Sequence, residues 1–199
     1  MKNIRRLFVV ALALLLVIPF GVNAKKKVEY NTLNLREALA VEEIDESFKN
    51  YEENDDQAII YLFRRDGCYY CGQFLSFLNS IADEYGKYFK LISYEVSTDQ
   101  NNSELFNDVS TYLDGKAATG VPYIVIGEKV FSGYSSELDE QLKKAIKDLY
   151  DTDKKDRYDI IKKMQDKPNY DGVVAVVSII IIAGLITVTV ITRKANKEN

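Results

Sequence analysis

The chain has two cysteines and no histidine, and the cysteines stand three positions apart in Cys68-Tyr69-Tyr70-Cys71. Residues at that spacing share one face of a helix, so the two sulfurs reach each other if the segment opens a helix. The first turn of a helix leaves backbone N–H groups unpaired, and the aligned peptide dipoles favour negative charge there. At such positions a cysteine pKa falls from about 8.5 to between roughly 3.5 and 7.5. The thiolate is the form that attacks a disulfide. In this reading Cys68 is the exposed nucleophile and Cys71, one turn in, is the buried partner that resolves a mixed disulfide. Arg64 and Arg65 add positive charge that lowers the thiol pKa, and Asp66 opposes them. A structural bridge is the competing reading, but closing so short a loop removes little entropy from the unfolded chain. Two thiolates alone do not complete a tetrahedral zinc shell, so no metal is expected, and no cofactor.

Proline is scarce: Pro19, Pro122 and Pro168 are the full set. Pro122 closes Thr119-Gly120-Val121-Pro122 and precedes the apolar run Tyr123-Ile124-Val125-Ile126. An X–Pro bond is the setting in which the cis form costs only about 0.5–1 kcal/mol. A proline that simply begins an ordinary strand is the plainer alternative.

These residues need a scaffold, and the hydrophobic pattern outlines one. Ala58 to Phe63 is a continuous apolar run, as suits a strand buried on both faces, and it leads straight into the cysteine segment. Phe74, Leu75, Phe77, Leu78, Ile81, Ala82 and Tyr85 then repeat at helical spacing until Gly86. The cysteines therefore lie at a strand-to-helix junction. Upstream, Leu35, Leu39, Ile44 and Phe48 outline a helix that Asn34 caps, with Glu37 in the capping-box position, after a short strand near 28–30. Downstream, Lys90 to Val96 reads as a strand and Ser103 to Leu113 as a helix. Tyr123 to Ile126 then turns through Gly127-Glu128-Lys129 into Val130-Phe131, and a long helix starts at Ser135. This alternation specifies an α/β fold, three layers (α/β/α) around a mixed central sheet.

A strand, a Cys-x-x-Cys at the start of a helix, and a Gly-Val-Pro about 50 residues later that leads into a hairpin resemble the thioredoxin superfamily over residues 28–150. The resemblance implies a thioredoxin-like fold and thiol–disulfide exchange. It further implies that Pro122 is cis and packs beside the cysteine pair, that Val121 offers its backbone to a bound peptide, and that Tyr69 and Tyr70 lie exposed at the substrate surface. Tyr61 and Tyr123 are expected in the core. The sequence departs from the family at several places. Gly67 stands where a tryptophan is usual before the first cysteine, and Tyr69-Tyr70 replaces the usual pair between the cysteines. The position of the family's buried carboxylate, six residues before the first cysteine, falls on Leu62. Ser76 stands where a kinking proline is usual.

The two ends have a different character. Lys2, Arg5 and Arg6, the apolar run from Leu7 to Phe20, and Val22-Asn23-Ala24 match a secretory signal peptide over residues 1–24, with an uncleaved anchor as the alternative. Residues 173–192 are uncharged and Ile/Val-rich, long enough for a membrane span, and Arg193, Lys194 and Lys197 follow. The expected organisation is a signal segment (1–24), a thioredoxin-like domain (25–150), a charged stalk (151–172), a transmembrane helix (173–192) and a cytoplasmic tail (193–199). The catalytic domain then sits on the extracytoplasmic face of a cell membrane. The full chain carries −4, and the part between the signal segment and the tail holds 20 basic and 29 acidic residues, near −9. That charge argues against nucleic acid as a partner and against docking on anionic lipid. Lysine, asparagine and isoleucine usage suggests an AT-rich bacterial genome.

Two functions of different class follow. One is a membrane-tethered oxidoreductase that exchanges disulfides with exported proteins or peptides, bacteriocins among them, and that draws on a redox partner. The other is a redox-silent binding module or chaperone subunit with the same groove.

Overall fold

The computed structural model describes residues 28–165, together with Ile182 and Gly184. The chain divides into two units, of which Val28–Lys167 is one. The signal segment, the 173–192 span, except for Ile182 and Gly184, and the tail lie outside the described residues. Among the described residues no helix is long and apolar enough to cross a membrane.

Five strands are described, β1 (Thr32–Leu33), β2 (Ala58–Arg64), β3 (Phe89–Glu95), β4 (Tyr123–Ile126) and β5 (Lys129–Ser132), and they form one sheet in the order β1-β3-β2-β4-β5. β2 and β3 are parallel, with Ile60 opposite Leu91 and Phe63 opposite Tyr94; the other neighbours pair antiparallel. The helices are α1 (Leu35–Val41), α2 (Tyr69–Tyr85), α3 (Gln100–Asp114), α4 (Asp139–Asp151) and α5 (Ile160–Gln165). Period-2 alternation along β2 sends Ile60 and Leu62 to one face, with residues of α1, α2 and α4, and Tyr61 and Phe63 to the other, with residues of α3 and α5. The result is the expected three-layer arrangement around a mixed sheet. Both faces of β2 are buried, which is why its sequence is an unbroken apolar run.

Three boundaries differ from expectation. The first strand is Thr32–Leu33 rather than 28–30. The capping box of Asn34 and Glu37 is present, but α1 ends at Val41. Glu43 takes a left-handed φ of 54°, and the amides of Glu43 and Ile44 bond back to the carbonyls of Ala40 and Leu39 at 3.2 and 2.9 Å. That turn is the Schellman ending of a helix. Ile44 and Phe48 still reach the core, from a non-helical segment pinned by buried Asn79 of α2, whose side chain bonds the backbone of Asp45 and Ser47 at 2.9 Å each.

The third difference concerns the charged segment after residue 150. Ile160 and Ile161 are buried among Tyr61, Phe63, Tyr94 and Val109, and Tyr158 and Met164 pack beside them. Arg157 donates to the carbonyls of Thr152, Tyr150 and Asp56, Lys154 pairs with Asp56 at 2.8 Å, and the Tyr61 hydroxyl donates to Asp159 at 2.8 Å. The start of the expected stalk is therefore part of the folded unit. The boundary placed at 150 moves beyond Met164, because the apolar side chains of this stretch complete the second core.

Candidate redox site

Cys68 caps the N-terminus of α2 with extended backbone, φ −76° and ψ 112°. A tight turn delivers it there: the Cys68 amide donates to the Arg65 carbonyl at 3.2 Å, and Gly67, third in the turn, has φ +67°. That conformation is costly for any residue with a Cβ. Glycine at position 67 thus has a local backbone reason.

Cys68 and Cys71 form a disulfide with Cα atoms 5.2 Å apart. The two sulfurs differ in access. Cys71 is 0% exposed, while Cys68 is half-buried. The Cys71 amide donates to the Cys68 sulfur at 3.3 Å, and the Gly72 amide donates to the Cys68 carbonyl at 3.0 Å. The first turn of α2 contains no acidic residue. A negative Cys68 sulfur therefore faces an N–H donor and the positive end of a 17-residue helix.

The Val121–Pro122 bond is cis, Pro122 is buried, and the Val121 carbonyl oxygen lies 3.9 Å from the Cys68 sulfur. The Pro122 carbonyl accepts from the Gly133 amide at 2.8 Å, so the loop before β4 is tied to the end of β5. Cys68, 53 residues before Val121 in sequence, thus lies beside the cis-proline loop in the fold. Tyr69 and Tyr70 are the first residues of α2, 71% and 55% exposed, with rings edge-to-face at 5.3 Å. Gln73 donates to the Tyr69 hydroxyl at 2.9 Å. Tyr61, Phe63 and Tyr123 are core residues, and the Tyr123 hydroxyl donates to Asp114 at 2.8 Å. Leu62 is fully buried in the core on the α2 side of the sheet.

The expectation for Arg64 is corrected. Arg65 is exposed, but Arg64 is only 1% exposed and its charge is spoken for. Nη1 donates to Glu42 at 2.9 Å and to Asp66, and Nε donates to the Ser93 hydroxyl at 3.0 Å. A guanidinium shared by two carboxylates is not a free cation for the cysteine pair. Glu42 and Ser93 were not singled out from sequence. Arg64 itself carried a signal, since it shares strand parity with Ile60 and Leu62 and so points into the core. Its partner Glu42, 22 residues upstream, carried none.

No protein-family model matches the chain. No curated protein matches it. Among solved structures the chain is similar to the glutaredoxin grx-1 from Archaeoglobus fulgidus, with 20% identity and a TM-score of 0.33, over 49% of this chain and 98% of that one. It is also similar to the holo form of glutaredoxin C1 from Populus tremula x tremuloides, with 18% identity and a TM-score of 0.31, over 57% of this chain and 86% of that one.

Proposed function

We propose that this chain is a thiol–disulfide oxidoreductase acting through Cys68 and Cys71. The observation that carries the reading is the unequal access of the two sulfurs at a helix N-terminus, with cis-Pro122 and the Val121 backbone alongside. A purely structural bridge has no need of one open sulfur.

In the oxidising direction a substrate thiolate attacks the Cys68 sulfur. The Cys68–Cys71 bond breaks and Cys71 leaves as a thiolate. A second substrate thiolate then attacks the substrate sulfur of the mixed disulfide and releases Cys68. The substrate gains a disulfide and the protein pair takes up two electrons. In the reducing direction the Cys68 thiolate attacks a substrate disulfide, and Cys71 attacks Cys68 to expel the second substrate thiol. The helix terminus stabilises the Cys68 thiolate, which leaves in the oxidising direction and attacks in the reducing one, and the Val121 backbone pairs with the peptide beside its cysteine.

The proposal extends to place. The segments 1–24 and 173–192, with Arg193, Lys194 and Lys197 after the second, support a domain tethered outside a cell membrane, working on exported proteins or peptides. The test uses the full-length chain in detergent. The protein should reduce or oxidise a model peptide disulfide, and Cys71→Ser should accumulate mixed disulfides through Cys68 that dithiothreitol releases. A folded protein that shows neither activity nor trapping would leave the binding-module reading in its place.

A further inference from the structure

The buried charge cluster beneath the redox turn has a use that the exchange reaction alone does not explain. Arg64 is the last residue of β2, and its backbone carbonyl accepts from the Val96 amide at 3.0 Å, so it is fixed at the end of the parallel ladder. Its side chain gathers three other segments: Glu42 after α1, Ser93 on β3 and Asp66 in the redox turn. Glu42 is almost as buried as Arg64, with 9% of its side chain exposed, whereas Asp66 keeps 56%. Burying a guanidinium and a carboxylate is expensive unless the geometry satisfies both, and three acceptors on one arginine meet that condition. Asp66 is the negative side chain next to the redox pair, two residues before Cys68 in a turn whose other hydrogen bond is Cys68 to Arg65. Left to itself, its carboxylate would oppose a thiolate at Cys68.

We propose that Arg64 is a positioning residue for the redox site, holding the Asp66 carboxylate against β2 and so withholding its negative charge from the Cys68 thiolate. The proposal rests on Cys68 being the reactive sulfur. Arg64 then acts through Asp66, and its own charge reaches the sulfur only as part of a cluster of one cation and two carboxylates. In this way an acidic side chain is tolerated beside the nucleophile.

The test is a mutant cycle read on the Cys68 pKa, taken from the pH dependence of iodoacetamide alkylation in the full-length Cys71→Ser protein. Asp66→Asn with Arg64 intact should move that pKa by less than about 0.3 unit, because Arg64 already engages the carboxylate. Arg64→Gln paired with Glu42→Gln, which leaves no buried charge orphaned, should raise it, lowering the alkylation rate at neutral pH by roughly threefold or more. Adding Asp66→Asn to that pair should restore the original value. A rise that Asp66→Asn does not reverse, or no rise in a folded protein, would overturn the proposal. If the paired variant does not fold, the single Asp66→Asn decides alone: a fall beyond about 0.3 unit shows that the carboxylate already acts on the sulfur. A purely architectural Arg64 would change thermal stability and leave the pKa cycle flat. The readout is independent of substrate, so its failure and the failure of disulfide exchange are separate results.

Discussion

Ile160→Ala tests whether the segment after α4 belongs to the folded unit. Ile160 is 1% exposed and sits in the core beneath β2, β3 and α3. The substitution deletes three carbons from a site with little room to collapse. At about 0.8 kcal/mol per buried methylene, the transfer loss is roughly 2.4 kcal/mol. The residual cavity adds to it, which gives a cost of about 3 kcal/mol. For a domain of this size, each kcal/mol lowers the melting temperature by about 3–4 °C, so the expected drop is roughly 10 °C. The assay is thermal unfolding of the full-length chain in detergent, followed by tyrosine near-ultraviolet dichroism, since the protein has no tryptophan. Lys162→Ala, exposed on the same helix, is the control and should stay within about 0.5 kcal/mol of the parent. Equal melting temperatures for the two variants would refute the packing and return residues 152–165 to a detached stalk.

Two further outcomes follow from the site and its surroundings. Tyr69→Ser with Tyr70→Ser should leave the melting temperature unchanged within about 2 °C, because both rings are exposed, while raising KM severalfold for peptide disulfides flanked by apolar residues. An unchanged KM would remove them from the substrate surface. Glu95, at the end of β3, is pushed up by burial but more strongly down by the hydroxyls and amides of Ser97 and Thr98, to about 2 from an ordinary 4.5. A carboxyl with a depressed folded pKa contributes stability above 4.5 that is lost as the pH falls through about 2. The stability gap between the parent and Glu95→Gln should therefore narrow across that acid window, and a gap independent of pH would contradict the assignment.

The parts of the fold that could be read from sequence are those whose signals are local. The run from Ala58 to Phe63, the i, i+3 cysteines and the apolar face from Phe74 to Ala82 each fall within one element, and each appears where expected. Two failures have a shared origin in long-range contacts. Nothing near Ile44 shows that α1 stops at Val41, because the partner that holds the following segment out of the helix is Asn79, on another helix. Tyr158, Ile160, Ile161 and Met164 are a short apolar pattern among many charges. Only the open face of β2 and β3, together with Asp56 and Tyr61 about 100 residues away, makes that pattern a core element.

Leu62, on the α2 face of β2, stands where a buried carboxylate is usual in the superfamily the sequence resembles, and its apolar side chain accepts no proton. The polar group on this face sits two residues later and is a cation, paired to Glu42 and Asp66 and bonded to Ser93. A guanidinium does not accept a proton from Cys71, so Arg64 itself cannot stand in for a carboxylate as a relay. It can order the turn that carries Cys68. The two roles separate experimentally: a relay would change the rate at which Cys71 resolves a mixed disulfide, whereas the role proposed for Arg64 would change the thiolate of Cys68.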